Sequence, residues 1–152
     1  MSETFKTAKG SRSSVVAMAK TNVPAPRLNA LSIVCDDLSA TLDFYRALGL
    51  AVPDSAADAP HVEVDLGGFR IMFDPLSTIR SFDPDWTRPQ SGSSPMSLAF
   101  ECPSAAAVDD AVAHVSGLGA RVVRPPFDAP WGQRYATVRD PNGNEIDVYA
   151  AL

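Results

Sequence analysis

His61, Glu63 and Asp65 alternate along one short segment, and Asp74 stands a little further on. Side chains at a period of two fall on one face of a strand. Imidazole and carboxylate groups gathered on such a face can hold a divalent metal ion or move protons. Between them, Gly67-Gly68 has the form of a two-residue hairpin turn. That turn would pair Leu66 with Phe69, Asp65 with Arg70, Glu63 with Met72 and His61 with Asp74. Cross-strand partners share a face, so the polar groups lie with Met72. Val62, Val64, Leu66, Phe69, Ile71 and Phe73 then form the opposite, core side. Two readings of the polar strip stand open. It is either a metal-holding face or a cavity wall and solvated surface with Asp65 and Arg70 as an ion pair; a register slip of one residue would exchange the faces.

Other reactive groups are sparse. His114, the only other histidine, lies in a helical stretch beside Val112 and Val115 and reads as a helix-surface or boundary residue. No Ser–His–Asp or Cys–His unit is suggested by any spacing. Cys35 and Cys102 share the parity of Leu31 and Leu98 and read as small buried hydrophobes, with no neighbour to activate a thiolate. No lysine follows Lys20, which removes a lysine nucleophile from the folded part.

The elements that must position these groups come in two similar sets. Leu28–Val34 alternates as a strand. Asp37 or Ser39 can cap a helix bearing Leu38, Leu42 and Tyr45 on one face, and Leu48-Gly49 ends it. Strands are expected at Ala51–Val52, His61–Leu66 and Phe69–Phe73. In the second set, Ser97–Glu101 is a strand, and Ser104 caps a helix carrying Val108, Val112 and Val115 that Gly117 and Gly119 stop. Strands follow at Arg121–Val123, Arg134–Arg139 and Glu145–Tyr149. An offset of 67 places Ala30 on Ser97, Leu31 on Leu98, Ile33 on Phe100 and Cys35 on Cys102. Each half therefore reads β-α-β-β-β, and the chain is an internal duplication.

Composition bounds the partners. At 152 residues, with 45% hydrophobic and 20% charged residues, the chain is an ordinary globular domain. It has no stretch of roughly 18 apolar residues to span a membrane, and Val15–Ala19 is too short for a signal-peptide core, so a cytoplasmic location is expected. Residues 1–27 carry a net charge of +4 and the remainder −9. So acidic a domain lacks the clustered basic groups that nucleic-acid binding needs. Residues 1–26, with no hydrophobic period, are expected to be a flexible extension, one that could include translated sequence upstream of a start at Met18. Residues 75–95 read as a linker loop, long enough to suggest function. It contains Arg80, Phe82, Trp86 and Arg88, and its large aromatics could cover a ligand or pack against a dimer partner or a sheet edge.

The chain closes on Trp131-Gly-Gln-Arg134, then Asp140-Pro-Asn-Gly-Asn144 and Glu145–Tyr149. Asp140-Pro141-Asn142-Gly143 has the residues of a type I turn, flanked by alternating segments of a hairpin. This wording, with the duplication, resembles the vicinal oxygen chelate superfamily of glyoxalases, bleomycin-resistance proteins and extradiol dioxygenases. The Trp-Gly-x-Arg followed by Asp-Pro-x-Gly-Asn is most similar to the bleomycin-resistance branch. The resemblance covers residues 28–150. It implies an α+β fold of two tandem βαβββ modules, residues 27–75 and 96–150, whose curved mixed sheets surround a cavity, and it implies a homodimer.

The resemblance also implies four places for metal ligands, on the first and last strand of each module. Here they hold Ala30, Met72, Ser97 and Asp147. Only Asp147 suits a catalytic divalent ion, so the expectation is a protein without metal or other cofactor. The leading reading is a small-molecule binding protein that sequesters an aromatic or cationic metabolite or antibiotic. Ala30, Met72 and Ser97 would give room, Asp74, Glu63 and Asp147 negative charge, and Trp86, Trp131 and Tyr149 aromatic walls, with Arg134 beside them. Alternatively Trp131 wedges the module interface and Arg134 pairs with Asp128 or Asp140. The competing reading is a lyase, isomerase or ring-cleaving dioxygenase with a displaced metal site on His61, Glu63 and Asp147. A third is a partner-docking scaffold.

Overall fold

The computed structural model describes residues 26–89 and 96–152. The first module begins with β1 (Ala30–Cys35), whose Ile33 and Cys35 point into the core. Asp37 caps helix α1 (Leu38–Ala47) by accepting the N–H of Ala40 at 2.9 Å, and Ser39 lies inside the helix. Gly49, at φ +91°, turns the chain out of α1 as only glycine readily does. The Gly67-Gly68 hairpin joins β2 (Val62–Asp65) to β3 (Arg70–Pro75) in the expected register, Glu63 opposite Met72 and Asp65 opposite Arg70.

The second module follows the same plan. β4 (Ser97–Glu101) leads to α3 (Ala105–Gly117), capped by Ser104, after the intervening α2 (Leu76–Phe82). Then come β5 (Arg121–Ala129), β6 (Gln133–Arg139) and β7 (Glu145–Ala151). The strands make a three-stranded sheet in the order β1-β3-β2 and a four-stranded sheet in the order β4-β7-β6-β5. In each, the first strand pairs in parallel with the last, and the other pairs are antiparallel. One α+β core unites them, with Leu42, Tyr45, Phe73, Val108 and Val148 all buried in one cluster. The Tyr45 ring touches both modules, its centre 5.0 Å from that of Phe73 and 6.3 Å from that of Phe100.

Three local expectations change. Ala51–Val52 forms no strand: the Val52 carbonyl accepts Arg46 Nε at 3.3 Å, and Pro53 has no N–H for a ladder. A 3₁₀ turn (Asp54–Ala56) follows instead, so this sheet has one strand fewer than the other. β5 runs six residues past its expected end, with register shifts between Val122 and Arg124 and between Arg124 and Phe127. Pro125 and Pro126, which cannot donate, account for both the irregularity and the early stop in the reading. The linker is not wholly loop: α2 buries Ile79, and Thr78 Oγ1 donates to the Pro60 carbonyl at 2.6 Å. The expected N-terminal extension lies outside the described residues except for Pro26, and residues 90–95 of the linker also lie outside them.

Candidate functional site

On the first sheet, the face turned from the core carries a connected polar network. Ser32 Oγ donates to Asp74 Oδ2 at 2.5 Å, and His61 Nδ1 lies 2.6 Å from Asp74 Oδ1. His61 Nε2 is 3.0 Å from Glu63, whose carboxylate also accepts Arg70 Nη1 at 2.9 Å. Asp74, and then Glu63, stabilise the imidazolium and raise the His61 pKa. His61, with Arg70, in turn holds Glu63 below the usual carboxylate range. The expected Asp65–Arg70 ion pair does not form. Gly67 and Gly68, at φ +80° and +96°, aim their N–H groups at Asp65 Oδ1, at 2.9 and 3.0 Å. Arg70 takes Glu63 instead.

The corresponding face of the second sheet is built around Asp147. It accepts Ser97 Oγ at 2.6 Å and Thr137 Oγ1 at 2.8 Å. Tyr135 also bonds this carboxylate, and burial followed by that bond pushes the phenol up to about 12. Ser32–Asp74 and Ser97–Asp147 are the same diagonal contact between a first and a last strand, displaced by two residues. Tyr135 continues into an aromatic run: Tyr149 stacks beside it at 6.4 Å, and Trp131 and Phe127 meet it edge-on at 5.6 and 6.2 Å. Trp131 is 53% exposed, donates Nε1 to Gln133, and wedges no module interface. Arg134 shares the parity of buried Ala136 and Val138, so it turns to the helix side. There it pairs with Asp109 of α3 at 2.8 Å and Asp128 at 3.0 Å, not with Asp140.

Between the unpaired edges of β1 and β4 lies a cleft of about 490 Å³. Both modules line it: Ala30, Leu31 and Ile33 from β1, Ser97 and Leu98 from β4, and Glu145 at the start of β7. Trp86 and Arg88 come in from the linker. The Arg88 guanidinium sits 5.8 Å from the centre of the Trp86 ring. It is anchored by the Val34 carbonyl at 3.1 Å and Asp36 at 2.9 Å. Of the residues expected to contact a ligand, the cleft gathers Ala30, Trp86 and Ser97. Met72 and Asp74 lie on the first sheet's outward face, and Asp147, Tyr149 and Trp131 belong to the second sheet's outward network; Arg134 is on the helix side.

Arg88 and Glu145 were not picked out as ligand-contacting from the sequence. In the sequence, the one pointer to Arg88 is its place two residues after Trp86 in the linker. Glu145 is legible only once the edge of β4 is known to face the cleft.

The four inherited metal positions do not fit a divalent ion. Ala30 has no donor atom, Met72 offers a thioether, and Ser97 Oγ is spent on the carboxylate of Asp147. The displaced set does not converge either. Both nitrogens of His61 are taken by carboxylates, while Asp147 is bonded within the other sheet. Among the described residues, no three His, Cys, Asp or Glu side chains are placed to hold a metal.

Two βαβ-type modules, their sheets flanked by helices and a cleft at the seam, define a duplicated α+β protein of the glyoxalase-like class. The family model of the Glyoxalase/Bleomycin resistance protein/Dioxygenase superfamily matches residues 27–148, and the chain belongs to that superfamily. Among solved structures, a glyoxalase/bleomycin resistance protein/dioxygenase family enzyme from Burkholderia phytofirmans PsJN is similar at 22% identity and a TM-score of 0.69, over 84% of this chain and 100% of that one. A glyoxalase/bleomycin resistance protein/dioxygenase from Nocardioides is 25% identical, with a TM-score of 0.62 over 86% of each chain. Lactoylglutathione lyase from Agrobacterium tumefaciens is 21% identical, with a TM-score of 0.56 over 84% of this chain and 95% of that one. No curated protein matches the chain. No helix among the described residues is long and apolar enough to cross a membrane.

Proposed function

We propose that this chain is a metal-independent small-molecule binding protein that sequesters its ligand, a metabolite or antibiotic, in the cleft between β1 and β4. The observation that carries the reading is the cleft itself. Its volume of about 490 Å³ suits a drug-sized molecule, it is concave and mainly apolar, and both modules build it. The donor chemistry of the four inherited positions supports binding without a metal. The reading takes the protein as a cytoplasmic homodimer, in keeping with its family resemblance.

Elemental analysis of untagged protein, grown in metal-supplemented medium and purified without chelator, tests the metal-free part. The expected content is far below one transition-metal ion per chain. About one ion per chain would overturn the reading and favour a metal-dependent lyase or dioxygenase.

A further inference from the structure

The charges that line the cleft are already paired. Arg88 and Glu145 are its only ionisable lining groups among the described residues. Arg88 is held by Asp36 at 2.9 Å, and Glu145 by Arg139 at 3.4 Å. Residues 90–95, which join the linker to Met96 and β4, contain no ionisable side chain. The carboxylates that would attract a cation, Asp74 and Asp147, point to the sheet faces, where Ser32 and His61 bond the first and Ser97, Thr137 and Tyr135 the second. A guanidinium stands over the Trp86 ring, so its charge opposes a second cation there.

From this we infer that the ligand of the cleft is an uncharged, planar aromatic molecule, stacked on Trp86 between Leu31 and Leu98, and not a cationic one. The inference rests on the cleft being the binding site. Ser32, Ser97 and Asn144 line the cleft, but their donor protons go to Asp74, Asp147 and Asp140, so polar recognition falls to their oxygens as acceptors from a ligand N–H or O–H. A ligand carrying its own charge would be desolvated beside ion pairs that are already complete, with no counter-ion to offset the loss.

Three naphthalene probes of one size test this on the full chain: uncharged 2-methoxynaphthalene, cationic 2-naphthyltrimethylammonium and anionic 2-naphthalenesulfonate. Binding is read from the anisotropy of the probe, excited beyond the tryptophan band. The uncharged probe is expected to bind on the order of tenfold or more tighter than either ion. That binding should fall about tenfold in Trp86→Ala and remain unchanged in Trp131→Ala. Ala30→Phe, which fills the cleft from β1, should abolish it and serves as a second probe of the site if Trp86→Ala is poorly folded by circular dichroism. Equal or tighter binding of a charged probe, still sensitive to Trp86 or Ala30, would overturn the ligand class and leave the cleft standing. Binding insensitive to both, or lost in Trp131→Ala, would overturn the cleft as the site, and so would no binding by any probe.

Discussion

Replacing Tyr45 by Phe removes one hydroxyl from the joint between the modules. The ring is fully buried, and its oxygen donates to Asp140 Oδ2 at 3.0 Å. Asp140 is itself only 4% exposed. It also accepts the N–H groups of Asn142 and Asn144, at 2.9 and 2.8 Å, and Asn144 Nδ2 at 2.8 Å. Every one of these groups donates, as a carboxylate requires. Burial, and then the nearby Asp140, raises the Tyr45 pKa and keeps the phenol a donor. A hydrogen bond to a charged group contributes about 1.5–3 kcal/mol. Three donors remain on Asp140 in Tyr45→Phe, so the carboxylate is not orphaned and the loss belongs at the low end, about 1.5 kcal/mol. That corresponds to a fall in Tm of about 5 °C for a domain of this size.

The reverse change is costlier. Asp140→Ala strands a buried hydroxyl together with two backbone N–H groups of the turn, and should cost about 3–4 kcal/mol. In that background Tyr45→Phe removes an unsatisfied group, so its effect should shrink to nothing or reverse sign. Urea unfolding followed by circular dichroism, with all four proteins of the cycle, measures both. A Tyr45→Phe loss below about 0.5 kcal/mol, or the same loss in both backgrounds, would refute the idea that this bond ties the modules together.

Two further outcomes follow from the titrating groups. The folded-state pKa of His61 is raised by Asp74 and Glu63, so its contribution to stability is complete below the ordinary value of about 6.5 and fades as pH rises through the raised value. Asp74→Asn should bring the His61 titration, followed by NMR, back toward that ordinary value; an unmoved titration would deny Asp74 the leading part. Cys35 is 1% exposed, and burial pushes its thiol up to about 11, whereas Cys102 is half-buried with a thiol also raised by burial. A disulfide reagent at pH 8 should therefore modify Cys102 first and Cys35 only as the fold opens. Equal rates would show that Cys35 is not sealed in the core.

Much of the framework was legible because it depends on short-range patterns. Asp37 and Ser104 cap their helices, Gly67-Gly68 closes its hairpin, and the alternation from His61 to Phe73 sets the register. Cys35 and Cys102 correspond in the duplication, yet one is sealed and the other only half-buried, since equivalence in sequence does not equalise burial. The missing strand at Ala51–Val52 turns on capture of the Val52 carbonyl by the Arg46 side chain six residues earlier, a placement that propensity does not register. The site was legible only in part for the same reason. Parity put Met72 with Asp74, and Asp147 with Tyr149, on the faces opposite the core, where they were expected to meet a ligand cavity; the registers keep that parity, but the cleft lies elsewhere. Parity could not say that the cleft would open at the seam between β1 and β4, where Arg88 and Glu145 meet Ala30 and Ser97.

The polar strips explain why the outward sheet faces do not readily offer their carboxylates to a ligand. In both modules a serine of the first strand donates to an aspartate of the last, at 2.5 and 2.6 Å. A carboxylate already accepting two good donors gives up those bonds before it can take a ligand, and burial raises the cost of doing so. When protonated, His61 adds a positive charge beside Asp74, and Arg70 adds one beside Glu63. The first sheet's network thus offsets its own acids, and hydroxyls hold Asp147, so the acidity of the chain as a whole does not imply an attraction for cations in the cleft. The place between β1 and β4 has no comparable polar partner to satisfy it. Its mainly apolar walls retain the hydrophobic surface that a bound molecule could cover, and that contrast carries the choice of the seam over either sheet face.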